Sequence, residues 1–185
     1  LPKKFDILTG GFPCQAFSIA GYRKGFHDKG RGDLFFEIIR ILKESKPKAF
    51  LLENVKNLKT HDNGNTLKII YEELENAGYH VTDLVMNTKD YANIPQNRER
   101  IYIVGFKTKA AFNQFKFPQK KKLRKTIGHF LEKNPIDDKY YYEGKPLHER
   151  IKNDVIRKDT AYQWRRKYVR ENKNNVCPTL TANMG

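Results

Sequence analysis

DLFFEIIRILKES, residues 33–45, lies between two short apolar runs, FDIL at 5–8 and AFLL at 49–52. The contrast among these three stretches separates helix from strand. In the long one, apolar residues fall at Leu34, Ile38, Ile41 and Leu42, one face of an amphipathic helix that Asp33 can cap. The short runs show no such period, and continuous apolar runs of that length predict strands buried on both faces of a parallel sheet. A second helix is predicted from about Gly64 to Ala77, where Leu67, Ile70, Leu74 and Ala77 share a face and Gly78 ends it. YHVTDLVM (79–86) and RIYIVGF (100–106) predict two more strands. The order β-α-β-α-β followed by one strand predicts an α/β, doubly wound fold.

Such sheets collect ligands beyond the carboxyl ends of their strands. Cys14 stands just past the first predicted strand and Glu53 ends the second. The loop NTKDYANIPQNRE (87–99) carries Arg98 and leads into Arg100. The fold pattern therefore predicts one edge that gathers Cys14, Glu53 and the Arg98/Arg100 segment.

Past Phe106 the pattern dissolves into the charge run KKKLRK (120–125), the turn-rich DDKYYYEGKP and the aromatic-basic YQWRRKYVRENK. Residues 1–106 carry 16 Lys/Arg against 13 Asp/Glu, and residues 107–185 carry 20 against 8. Of the +15 net charge, +12 thus sits on the second part, which suits either a polyanion partner or a solvated basic surface. The boundary near Phe106 divides the chain into domains 1–106 and 107–185.

The two cysteines make no disulfide framework and no C-x-x-C exists for zinc, so no metal site is expected and a reducing cytoplasm is the expected setting. No apolar stretch is long enough to span a bilayer, and Leu1 to Thr9 is no signal peptide. A chain that starts on Leu and ends on the glycine of TANMG reads as part of something longer.

From the residues alone, Cys14 is either a small buried hydrophobe or a nucleophile helped by nearby cations. A protease reading lacks a recognisable histidine partner. A zinc deaminase needs a second cysteine three residues on, where this chain has Phe17.

GFPCQAFS (11–18), RGDLFFE (31–37), ENVKNL (53–58) and IPQNRERIYIVGF (94–106), in this order and spacing, resemble the cytosine-5 DNA methyltransferases of bacterial restriction–modification systems. VRENKNNVCPTLTANMG (169–185) is similar to the end of that family's target-recognition region. The resemblance implies a partial Rossmann-like methyltransferase sheet followed by a smaller, irregular basic target-recognition region. It implies S-adenosylmethionine as methyl donor, double-stranded DNA as partner, and a cognate restriction endonuclease as a genetic partner only. By motif, Cys14 is the nucleophile that adds to C6 of an extruded cytosine, Glu53 holds the base near N3 and the 4-amino group, and Arg98 and Arg100 anchor the base and steady the thiolate. Pro13 and Leu34 correspond to positions lining the cofactor pocket, although Leu34 equally suits the core of its helix. The resemblance places Gln15, Ser18, Gln96, Thr179 and Thr181 at the DNA, and the glycine-rich stretch 15–33 as the segment that closes over the flipped nucleotide.

Arg165, Arg166 and Arg170 suit guanine edges, Cys177 is expected to be inert, and the run 120–125 reads as a solvated face or a loose phosphate contact. The family's glycine-rich cofactor-binding start and its closing helix have no counterpart here, so the 185 residues alone are expected not to methylate DNA. An apolar sheet edge left open at FDIL predicts dimerisation or poor solubility. A transfer RNA methyltransferase of similar fold and a catalytically silent DNA-binding remnant are the competing readings.

Overall fold

The computed structural model describes residues 4–13, 33–172 and 175–180. These divide into two compact units, one running up to Met86 and including Glu99–Pro118, the other comprising Asn87–Arg98 and the chain from Gln119 onward.

In the first unit, β1 (Ile7–Gly11), α1 (Asp33–Ser45), β2 (Ala49–Val55), α2 (Asn65–Asn76) and β3 (His80–Asn87) follow in sequence. Two short turns of 3-10 helix, Lys56–Lys59 and His61–Gly64, link β2 to α2. After an excursion into the second unit the chain returns as a further strand, β5 (Glu99–Phe106), and a short helix, α4 (Lys109–Gln114). The sheet order is β1-β2-β5-β3. β1 runs parallel to β2, from Ile7 opposite Ala49 to Gly11 opposite Glu53, whereas β5 runs antiparallel to β2, from Ala49 opposite Phe106 to Val55 opposite Arg100.

The fold class is α/β as expected, but the sheet is mixed. A strand that returns antiparallel needs no helical crossover, and β5 is led in by a connection whose one helix, α3 (Thr88–Tyr91), is a single turn.

The core joins Phe35, Ile39 and Leu42 of α1 to Ile70 and Leu74 of α2, and both helices to Phe50 and Leu52 of β2 and Ile101 and Ile103 of β5. Each such side chain contributes ~1.5–3 kcal/mol by leaving water. Both helices therefore pack on one face of β2. The expectation of strands buried on both faces is corrected accordingly. β2 alternates buried and open positions, with Leu51 and Val55 exposed, and β1 is largely exposed, Ile7 by 62%.

The helix face also needs correcting. The buried stripe of α1 is Phe35, Ile39 and Leu42, turned by about one residue from the Leu34–Ile38–Ile41–Leu42 face, and Leu34 stands 56% exposed. The aromatic Phe35, whose ring packs 5.2 Å from that of Phe12, takes the inward position instead. α2 matches its pattern, with Leu67 packed against the core and Ile70, Leu74 and Ala77 buried. Gly78 ends the helix at φ +85°, its N–H donating to the Glu75 carbonyl at 2.8 Å. Tyr79 follows, donating to the Pro47 carbonyl at 2.8 Å, and burial pushes its phenol up to about 12.

The second unit is built differently. Its described residues bury one large hydrophobic side chain, Ile127, and are held mainly by backbone pairing. A two-residue strand, β4 (Gln96–Asn97), pairs parallel with another, β8 (Cys177–Pro178). β6 (Tyr162–Trp164) and β7 (Val169–Glu171) form an antiparallel hairpin. Between α4 and β6 lie only two short 3-10 turns and the one-turn α5 (His148–Ile151). Segment 87–98 serves as a base to which both ends of this irregular region are tied. Lys121 N–H donates to the Asp90 carbonyl at 2.6 Å and Arg124 N–H to Asn93 Oδ1 at 2.7 Å. At the other end Cys177 N–H donates to the Pro95 carbonyl at 2.6 Å, and Thr179 Oγ1 to the Asn97 carbonyl at 2.9 Å.

Candidate active site

The parallel register of β1 and β2 sets the end of one strand beside the other, Gly11 opposite Glu53. A Cβ at position 11 would make ordinary van der Waals contact with the Glu53 carbonyl at 3.4 Å and its Oε2 at 3.7 Å, which sets the carboxylate beside the β1 end. Cys14 follows three residues later in sequence and, with Gln15, Ser18 and the glycine-rich stretch to Gly32, lies outside the described residues.

The antiparallel return of β5 brings Arg100 to the same end of β2. Its Nε lies 2.9 Å from Glu53 Oε1, with the two side chains 15% and 36% exposed, and its Nη1 donates to the Glu99 carbonyl at 2.8 Å. The guanidinium is thus held from two sides, and the carboxylate remains accessible. Just past β2, Lys56 at the start of the first 3-10 turn pairs with Glu99 of β5 as a second brace. The same turn is fixed by Lys59, 2.9 Å from Asp83 Oδ2, while Tyr71 donates to Asp83 Oδ1 at 2.8 Å. That carboxylate and burial raise the Tyr71 phenol, burial being the larger cause.

Asn54, which the motif reading passed over, is 4% exposed. Its Nδ2 donates to the Phe12 carbonyl at 2.9 Å and its Oδ1 accepts from Val55 N–H at 2.8 Å. A buried amide so satisfied is a structural tie, and this one grips the chain two residues before Cys14. The alternation of β2 carries the signal, because Asn54 falls on the same inward face as Phe50 and Leu52.

Pro13 is exposed, as is Leu34, and each adjoins a member of the packed Phe12–Phe35 pair. The core alternative for Leu34 is excluded by that exposure.

In the second unit, the half-buried Arg98 accepts at its carbonyl from Thr88 N–H at 3.0 Å. Gln96 is half-buried on β4 opposite Cys177, and Thr179 is tied to Asn97 as described. Arg165 and Arg166 occupy the turn of the β6–β7 hairpin, exposed, with Arg165 N–H donating to the Tyr168 carbonyl at 2.9 Å. Arg166 has φ +63°. Arg170 is exposed on β7 opposite Gln163. Thr181 lies outside the described residues. Burial raises the Cys177 thiol, which keeps it protonated.

Among the described residues no group of three His, Cys, Asp or Glu side chains converges as metal ligands, and no helix is long and apolar enough to cross a membrane.

The family profile of C-5 cytosine-specific DNA methylases matches residues 1–184. Type II methyltransferase M.Bsp6I of Bacillus sp. (strain RFL6) is 56% identical over 98% of this chain, and M.HpaII of Haemophilus parainfluenzae is 50% identical over 76% of it. The chain spans 58% and 39% of the lengths of these relatives. Among solved structures, S. pombe Dnmt2 methyltransferase superposes with a TM-score of 0.54 at 21% identity, covering 80% of this chain and 45% of that one. Spodoptera frugiperda DNMT2 gives 0.51 at 19%, covering 72% and 41%. These two likenesses concern the fold alone. With a profile match over nearly its whole length and a relative identical at more than half its positions, the chain belongs to the C-5 cytosine-specific DNA methylase family.

Proposed function

We propose that the protein of which this chain is part transfers a methyl group to C5 of a cytosine within a specific duplex DNA sequence. The observation that carries this reading is the Glu53–Arg100 pair at the end of β2, facing the strand end from which the chain runs on to Cys14. S-adenosylmethionine, when bound, supplies an electrophilic methyl group, and Pro13 and Leu34 would line its site.

The chain's own residues prepare the base. The Cys14 thiolate adds to C6, forming a carbon–sulfur bond and turning C5 into an enamine-like carbon able to take the methyl group. Glu53 would hold N3 and the 4-amino group, stabilising charge that builds in the ring, with Arg100 fixing the carboxylate and Arg98 anchoring the base. Loss of the C5 proton then expels the thiolate. C6 is hidden in stacked duplex, so the cytosine must be turned out, at a few kcal/mol of unstacking.

Residues 1–106 would form the catalytic half of the methyltransferase domain and residues 107–185 the target-recognition region. Gln15, Ser18, Gln96, Thr179 and Thr181 would contact DNA, and Arg165, Arg166 and Arg170 would read guanine edges. The basic second part favours a duplex over transfer RNA. The setting is the cytoplasm, with a restriction endonuclease as genetic partner, and the exposed β1 edge favours self-association of the isolated chain.

The test uses the full-length gene product and genomic duplex substituted throughout with 5-fluorocytosine, which lacks the removable C5 proton. A denaturation-resistant adduct in the presence of S-adenosylmethionine, absent with Cys14→Ser, is expected. No adduct from the wild type would leave a DNA-binding remnant as the better reading. The 185 residues alone should transfer no methyl groups from labelled S-adenosylmethionine to the unsubstituted duplex.

A further inference from the structure

The second unit contains a cleft of about 490 Å³ lined by Tyr91, Ala92, Asn93, Lys121, Lys122 and Arg124. Its two walls are joined by the ties already described. The main chain of the basic run donates from Lys121 to the Asp90 carbonyl and from Arg124 to Asn93 Oδ1, and Asn93 turns the opposite wall at φ +53°. A run of five cations in six residues would by repulsion prefer to spread into solvent. Here its backbone is fastened at Lys121 and Arg124, and three of its side chains line one concavity.

None of these three cations has a carboxylate partner among the described residues, whereas Arg157 of the same unit is paired with both Asp159 and Glu171. No acidic side chain lines the cleft. Unpaired positive charge gathered in a hollow raises the local concentration of anions. The cleft is open and all three cations are exposed, which suits an extended polyanion passing through more than an enclosed small anion.

We infer that this cleft is a seat for the phosphodiester backbone of duplex DNA, with Lys121, Lys122 and Arg124 contacting one or two adjacent phosphates. The inference rests on the proposed action on duplex DNA and adds to it a specific anchoring point. Phosphate contacts of this kind fix register and orientation without reading sequence. The seat would hold the backbone while other residues choose the bases.

The experiment measures binding of the full-length gene product to a random-sequence 30-base-pair duplex over a range of salt, for wild type and for Lys121→Ala/Lys122→Ala/Arg124→Ala. Each phosphate contact contributes about 0.9 to the slope of log affinity against log salt. The triple variant is expected to lose a slope of about 1 to 2, equally on any duplex sequence. The charge-preserving Lys121→Arg/Lys122→Arg should keep the wild-type slope, and Lys68→Ala on α2 should also leave it unchanged. Wild-type binding with an unaltered slope in the triple variant would overturn the seat while leaving the proposed function standing. Failure of the wild type to bind any duplex would overturn both. An equal loss on a hairpin RNA bound as tightly as the duplex, or full competition by millimolar inorganic phosphate, would overturn the assignment to duplex DNA.

Discussion

Arg100 Nε lies 2.9 Å from Glu53 Oε1 across two antiparallel strands, and the pair owes its geometry to strand direction. Were β5 parallel to β2, the start of β5 would lie at the opposite end of the sheet from Glu53. The half-buried arginine therefore orients the carboxylate and balances its charge in one contact. In the full-length protein, Glu53→Gln should lower kcat by ~10²–10³-fold, the range for removing a group that stabilises charge in the transition state, while duplex affinity stays within a few-fold. Arg100→Lys keeps the charge but loses the planar fork, and should fall between the two. Single-turnover methyl transfer separates chemistry from product release; an unchanged rate for Glu53→Gln would remove it from the catalytic step.

Asn54 predicts a stability effect. Asn54→Leu leaves the Phe12 carbonyl without its donor in a buried setting, which costs ~1–3 kcal/mol. Urea unfolding should show the midpoint fall with little change in slope. Asn54→Asp should be worse still, because its carboxylate cannot donate to the Phe12 carbonyl.

Gly105 faces Phe50 in the β2–β5 register, and a Cβ there would lie 2.2 Å from the Phe50 ring. Gly105→Ala should destabilise the first unit by ~1–3 kcal/mol through overpacking. Because the clash is with one side chain, Phe50→Leu should recover part of the loss in the double variant, giving a non-additive cycle on thermal unfolding.

These residues show how much was legible beforehand. The two helices of the first unit follow from their apolar period, and its four strands from short apolar runs, although those runs suggested burial on both faces where β2 alternates. The motif at 53–58 located Glu53, and alternation alone would have placed Asn54 inward. What period cannot convey is strand order: a run such as RIYIVGF carries no mark of whether it joins the edge or slips between two earlier strands. Nor could it settle Leu34 against Phe35, adjacent apolar residues either of which completes a stripe. In the second unit, buried hydrophobic residues are so few that backbone ties to segment 87–98 hold the chain, and those leave little trace in composition. The cleft cations were visible as charge but not as a place.

Arg166 offers a prediction in which stability and binding part company. Its φ of +63° is a left-handed conformation that a β-carbon disfavours. Arg166→Gly should therefore be neutral or stabilising by up to ~1 kcal/mol in thermal unfolding. Affinity for duplex should nonetheless fall, because the exposed turn loses a cation. A variant that gains stability and keeps full affinity would show the strain to have no role in recognition.

The two ends of the irregular region meet on a single strip of backbone, Asp90 to Asn97, and this has an evolutionary consequence. The cost of closing a flexible loop grows only with the logarithm of its length, about 0.6 kcal/mol for each doubling. A segment tethered like the handle of a basket can be lengthened, shortened or exchanged between its pins with little penalty to either unit. Diversity in what such proteins read should accumulate between Lys125 and Asn175, while the pins keep their spacing.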